Sequence, residues 1–230
     1  MKKFTAMILA LMLLCGVLSA CGNGNISNDK GGKTTDSPND AEDIIDDGDM
    51  TDNGILDMYV NGRRLVGRGG NWGFSEALLR YRAEQYDYAV GLEAAENFNI
   101  IRNWVGQTGD EEFYEACDRY GVMVWQDFWL ANPTDGPDPD DEEMFMQNAD
   151  NYLRRIRNHP CIALYCGRNE GTPPPGLDKG LRELVGRLAP DMIYFPDSSR
   201  GWVSGHGPYH RRTALQTFTS WGQGKFHSEL

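Results

Sequence analysis

Cys161-Ile-Ala-Leu-Tyr-Cys-Gly-Arg-Asn-Glu170 decides the fold: six mostly apolar residues run straight into a polar tetrad. A short unbroken apolar run reads as a strand buried on both faces of a parallel sheet. The tetrad then sits where that strand leaves the sheet. In parallel α/β folds the active site lies at the carboxyl ends of the strands, so Asn169 and Glu170 are the first catalytic candidates.

The same alternation extends outward on both sides. Leu177, Leu181, Leu184, Val185 and Leu188 predict a helix stopped by Pro190, and Met192-Ile-Tyr-Phe195 a strand after it. Upstream, Phe145, Ala149, Tyr152, Leu153 and Ile156 give a helix over about 141–157, with acids at its start and arginines at its end, as the helix dipole favours. Before that come a strand at Val122–Phe128 and a helix with Phe113, Ala116, Cys117 and Tyr120 on one face and Gly121 as its stop. A strand at Asn99–Val105, a helix over Glu84–Asn97 with Tyr88, Leu92 and Ala95 inward, and a first strand at Leu65–Trp72 complete the upstream part. Downstream, Val203–Tyr209 and Lys225–Glu229 read as two more strands. About seven β/α units predict a (β/α)8 TIM-barrel type, incomplete, over 58–230, with a doubly wound open sheet as the runner-up. Gly67-Arg-Gly-Gly-Asn does not match the dinucleotide fingerprint that would favour the open sheet.

The remaining residues read differently. Lys2 and Lys3, an apolar run from Ala6 to Leu14, and Leu18-Ser-Ala-Cys21 make residues 1–20 a signal peptide, too short for a permanent membrane span. The Leu-Ser-Ala-Cys ending resembles the bacterial lipobox, which implies acylation of Cys21, export to the cell envelope and anchorage to the membrane. Residues 21–57 follow as an acidic linker of Gly, Asn, Ser and Asp, expected to be disordered because its composition buries too little surface to offset chain entropy. That linker holds much of the acid behind the net charge of -12, and with no basic stripe nucleic acid is excluded as a partner. Among the five cysteines, Cys161 and Cys166 share one strand too far apart for a bridge, and no cysteine/histidine spacing suggests zinc.

The predicted strand ends carry Asn71 and Trp72; Arg102, Asn103 and Trp104; Asp127; Asn169 and Glu170; His206 and Tyr209; and Glu229. Carboxylates among indole rings suit a sugar, whose apolar face stacks on an aromatic ring while its hydroxyls need fixed polar partners. Glycoside hydrolysis needs two carboxyl groups flanking the scissile bond, and Glu170 and Glu229 end two of the predicted strands.

Asn61-Gly62, Arg68-Gly-Gly-Asn-Trp72, Asn99-Ile-Ile-Arg-Asn-Trp104, Phe113-Tyr-Glu-Ala-Cys-Asp118, Val124-Trp-Gln-Asp-Phe128, Arg157-Asn-His-Pro160, Gly167-Arg-Asn-Glu170 and Phe226-His-Ser-Glu229 occur in this order. Together they resemble the barrel domain of glycoside hydrolase family 2, in its β-mannosidase and exo-β-glucosaminidase-like branch. The resemblance implies a retaining exo-β-glycosidase with Glu170 as acid/base, Glu229 as nucleophile and Asn169 beside the sugar's 2-substituent, and it implies no metal or organic cofactor. A retaining mechanism expects the carboxyls about 5–5.5 Å apart.

The sequence departs from that pattern at both ends. No sandwich domains precede the first strand, and Leu230 follows Glu229 directly, so a partner chain completing the barrel is one expectation. A non-catalytic glycan-binding lipoprotein or an inactive fragment is the alternative. An open-sheet hydrolase using Ser228 lacks the G-x-S-x-G elbow that such chemistry needs.

Overall fold

The computed structural model describes residues 56–60, 62–73, 78, 80–201, 203–205, 213, 215 and 226–228. The expected leader with Cys21 and the expected linker up to residue 55 lie outside these, as do His206, Tyr209 and Glu229. Leu56 and Asp57, at the end of that linker, are both buried. The described residues fall into two compact units: Asp57–Leu65, and Leu56 with the part from Val66 on.

The first unit is an antiparallel hairpin of β1 (Met58–Val60) and β2 (Arg63–Leu65), registered Met58 to Leu65 and Val60 to Arg63. Arg64 donates from Nε and Nη2 to Asp57 Oδ1 at 2.8 and 2.6 Å. The expected first strand is therefore divided, because Leu65 closes this hairpin and a separate strand starts at Gly69.

The second unit alternates strand and helix. In order these are β3 (Gly69–Asn71), α1 (Ala83–Ala95), β4 (Ile100–Asn103), α2 (Glu111–Tyr120), β5 (Met123–Asp127), α3 (Glu142–Ile156), β6 (Ile162–Arg168), α4 (Pro175–Leu188) and β7 (Ile193–Asp197). The five strands form one parallel sheet in chain order, without the reversal that a doubly wound sheet requires. Two short strands, β8 (Val203–Ser204) and β9 (Phe226–His227), pair parallel to each other. The fold is thus mixed α/β with a parallel sheet. Among the described residues no helix is long and apolar enough to cross a membrane.

Three helices follow the periodicity closely. In α3 all five expected apolar residues are buried, and the Asp141 carboxylate caps its start by accepting from the Met144 N–H at 2.8 Å. In α4 the buried set is Leu177, Leu181, Leu184 and Val185, and the helix stops before Pro190. Helix α2 ends at Gly121 as expected, but Tyr114 takes the inward place and Tyr120 is 41% exposed. Helix α1 corrects the reading more sharply. Its inward residues are Tyr86 and Val90, whereas Tyr88 and Leu92 are 70% and 50% exposed. Gly91 lies against Tyr120 of α2, and the interrupted apolar pattern of α1 carries almost no one-sided signal for sequence reasoning to use.

The sheet's two faces differ in kind. Helix side chains share one core with Ile101, Val124, Ile162, Tyr165 and Tyr194 from the strands. The alternate strand residues, Arg102, Trp125, Asp127, Leu164, Cys166 and Phe195, turn the other way and are also buried. There Trp125 packs on Phe195 and on Phe226 of β9, with ring centroids 6.0 and 5.9 Å apart. The Phe226 ring also covers Gly67, just before β3, where an added Cβ would lie 2.7 Å from it. Only glycine allows that approach.

Candidate active site

At the carboxyl ends of the strands the face turned away from the described helices becomes polar. Asp127, at the end of β5, is fully buried and receives four donors. Arg102 Nε and Nη2 reach its Oδ2 at 3.1 and 2.7 Å, the Val105 N–H reaches the same oxygen at 3.0 Å, and the Trp125 indole N–H reaches Oδ1 at 2.8 Å. A charge so deep in the protein persists because its partner and its hydrogen bonds are all supplied. The Arg102 guanidinium also lies over the Trp125 ring, 5.5 Å from its centroid. Its Nη2 then reaches forward to Asn169 Oδ1 at 2.8 Å. Asp127 thereby fixes Arg102, and Arg102 fixes Asn169.

Glu170 follows Asn169 with φ of 47°, a left-handed conformation uncommon for a residue with a Cβ. Such backbone costs on the order of 1–3 kcal/mol and persists where its surroundings hold it. Here the Glu170 N–H donates to Ser198 Oγ at 3.0 Å, and its Oε2 accepts from Asn132 Nδ2 at 2.9 Å. Val105, just past β4, shares the left-handed conformation with φ of 43°. Both residues stand at the same end of the sheet. Glu170 is half-buried, unlike Asn169, which is almost wholly covered.

Ser198, just past β7, links this group to the other short strands. Its Oγ lies 3.4 Å from Asn169 Oδ1, while its carbonyl accepts from Ser228 Oγ at 2.7 Å. Gly205 packs directly on that contact, since an added Cβ would meet Ser228 Oγ at 2.2 Å and Ser198 O at 2.6 Å. Ser228, the residue before Glu229, is therefore hydrogen-bonded to the residue that holds the Glu170 backbone.

The predicted site residues separate into two sets. Arg102, Asp127, Asn169 and Glu170 come together. Trp72 and Asn103 do not join them. Asn71 pairs with Arg102 and is exposed, so Trp72, one residue on, faces the helices and packs against Tyr81, Tyr86 and Phe113. Asn103 also faces the helices, donating to the Thr108 carbonyl at 2.9 Å and to Gln126 Oε1 at 3.0 Å. Period-two alternation is the reason in both cases. Trp104 is half-buried in the turn that follows β4.

A second polar cluster lies at the opposite, amino end of β6. Asp118, His159 and Cys161 hold ligand-type atoms within 4.8 Å of one another. Those groups already engage each other and a neighbour. Asp118 Oδ1 accepts the Cys161 N–H at 2.9 Å, Asp118 Oδ2 lies 2.6 Å from His159 Nδ1, and His159 Nε2 lies 2.8 Å from Glu111 Oε1. Burial opposes charge on the imidazole, but its bonds to Asp118 and Glu111 outweigh it and raise the His159 pKa above 6.5. An imidazole engaged through both nitrogens by two carboxylates is a clamp between α2 and the start of β6 rather than a vacant ligand set. A hydrogen bond with Cys117, and then burial, push the Cys161 thiol up, and Cys117, Cys161 and Cys166 are all free.

No protein-family model matches the chain. It is 39% identical over 132 residues to a mannosylglycoprotein endo-beta-mannosidase of Lilium longiflorum, covering 54% of this chain and 14% of that protein. It is 29% identical over 214 residues to beta-mannosidase B of Aspergillus flavus, covering 74% of this chain and 25% of that protein. The chain is thus similar to β-mannosidases over as much as 74% of its length. Its fold matches a beta-D-mannosidase from Dictyoglomus thermophilum with a TM-score of 0.57 at 25% identity, over 73% of this chain and 23% of that one. An Amycolatopsis orientalis exo-chitosanase gives a TM-score of 0.66 at 16% identity over 77% of this chain and 23% of that one. The chain thus spans a quarter or less of the length of these relatives.

Two members of this carboxyl-end site escaped sequence reasoning. Asn132 sits in the proline- and aspartate-rich segment after β5, and Ser198 in a polar run after β7. Both positions follow a strand, which was the available signal. Neither residue type stands out among so many neighbours of similar chemistry.

Proposed function

We propose that the chain is a retaining β-glycosidase acting on β-mannosides or β-glucosaminides, with Glu170 as acid/base and Glu229 as nucleophile. The observation that carries this reading is the presentation of Glu170 at the carboxyl end of the sheet. It is held there by Asn132 and Ser198, beside the buried Arg102–Asn169 pair. Likeness to β-mannosidases over 74% of the chain in sequence and 73% in fold supports the reaction class. In such a reaction Glu170 protonates the departing glycosidic oxygen while the nucleophile attacks the anomeric carbon. Glu170 then deprotonates the water that releases the sugar. Asn169, steered by Arg102, meets the hydroxyl or amine beside the anomeric centre.

The exo mode follows the family resemblance. An endo mode, cleaving a β-mannoside within a longer glycan, is the second reading, favoured by the 39% identity to the endo-beta-mannosidase. We also read the sheet as part of a (β/α)8 barrel. The chain-order strands and the Phe226 ring spanning from Trp125 to Gly67 support it. The leader sequence further supports lipid anchorage at Cys21, which would place the enzyme in the cell envelope. Radiolabelled palmitate incorporation that Cys21→Ala does not abolish would end that placement.

Incubation of the full chain with p-nitrophenyl β-mannoside and β-glucosaminide tests the activity. Proton NMR of the first product formed tests the stereochemistry, and retention of the β-anomer is expected. Absence of hydrolysis on both substrates and on β-mannosyl oligosaccharides removes the enzymatic reading in favour of glycan binding alone.

A further inference from the structure

We propose that Asn132 is a positioning residue that presents the Glu170 carboxyl for proton transfer. This inference rests on Glu170 being the proton donor of the proposed reaction. The Asn132 amide has one permitted orientation. Its Oδ1 accepts from the Thr134 N–H at 2.9 Å and lies 2.8 Å from Thr134 Oγ1. A backbone N–H only donates, so that atom is the oxygen, and Nδ2 must face Glu170. Nδ2 donates to Glu170 Oε2 at 2.9 Å.

The loop carrying Asn132 is fastened to the strand that carries Glu170. Arg168, the last residue of β6, donates from Nε to the Ala131 carbonyl at 2.8 Å and from Nη1 to Asp138 Oδ1 at 2.6 Å. Pro133 seats on Gly171, where an added Cβ would meet the proline ring at 2.9 Å. Asn132 and Glu170 therefore move as one body, flanking the same arginine.

Two consequences follow for the chemistry. An oxygen that faces an N–H keeps a lone pair toward it, so the acid proton is favoured on Oε1. The same N–H stabilises the carboxylate left after the proton has passed to the leaving oxygen, where a negative charge appears. Asn132 thus selects the donating oxygen and eases the transfer without touching substrate.

Asn132→Asp separates this role from a purely structural one. Its oxygen still accepts from Thr134, so the turn is kept, while the donor toward Glu170 is replaced by an acceptor. In the full chain labelled with 13C-carboxyl glutamate, the Glu170 resonance is assigned by its loss in Glu170→Gln. Asn132→Asp and Asn132→Leu should each move its titration to higher pH, by on the order of one unit. A titration that stays in place in both folded variants overturns the proposal. This measurement requires no turnover, so it is independent of whether the chain hydrolyses a glycoside. On an active chain, both variants should also move the alkaline limb of kcat/KM upward. They should slow alkyl glycosides about 10- to 100-fold while sparing dinitrophenyl glycosides, whose leaving group needs no proton. Equal losses on both leaving groups would overturn it as well.

Discussion

Two polar clusters, at opposite ends of the same strands, use similar side chains to different effect. At the amino end, His159 is enclosed by Asp118 and Glu111 and is only 11% exposed at its side chain, and Asp118 is occupied through both oxygens. At the carboxyl end, Asp127 and Arg102 are satisfied to the same degree, but they support a next layer. Asn169 and Glu170 stand on it, and Glu170 carries a left-handed backbone and a half-buried carboxyl. A closed network fastens elements together. A network with one strained, accessible acid at its rim also has something to present.

The largest test of that contrast removes the presented group. Glu170→Gln should cost about 10²- to 10⁴-fold in kcat/KM on substrates with poor leaving groups, with little change in Tm. Next, Asp127→Ala should cost about 3–5 kcal/mol of stability in urea titration, because it strands Arg102 in a buried site. A small loss there would mean that water replaces the carboxylate and that the carboxyl-end network is not closed at its base. If Asp127→Ala were instead as stable as the parent and inactive, the layered description would be broken.

The amino-end clamp makes a pH-dependent prediction. The raised His159 pKa means that the native state binds its proton more tightly than the unfolded chain. The stability this supplies is fully present below about pH 6.5 and is lost as pH rises through the raised native value. Thermal melts of His159→Gln should therefore lie furthest below the parent near pH 5.5 and converge on it near pH 9. A constant gap would reduce the clamp to packing. The smallest effect lies outside both clusters. On α1, burial, with repulsion from Glu96, pushes Glu93 up to about 7. Its native state also favours the proton, so stability is lost as pH rises from about 4.5 through about 7. Glu93→Gln should raise Tm modestly at pH 8 and leave it unchanged at pH 4.

Much of the fold was written in short-range patterns. The strand at Ile162–Arg168 and the helices at Glu142–Ile156 and Pro175–Leu188 match their periodicity within a residue or two, since apolar spacing and capping residues act locally. Where apolar residues crowd or thin out, the pattern misleads. Tyr88 and Leu92 of α1 look inward by spacing yet face outward, and the hairpin at Met58–Leu65 absorbed Leu65, the residue expected to open the first strand. The site divided in the same way. Arg102, Asp127, Asn169 and Glu170 were legible because polar residues directly follow apolar strand runs.

Sequence alone determined the alternation of strand and helix, the end of the sheet where polar chemistry gathers, and the resemblance that names Glu170 and Glu229. Tertiary structure alone decided which face each residue takes. It turned Trp72 and Asn103 into the helix-side core and stacked Asp127 under Arg102. It also brought Asn132 and Ser198, 38 and 28 residues away, onto Glu170. Local spacing fixes what a segment becomes, but hydrogen bonds between loops depend on register and packing that no single segment encodes.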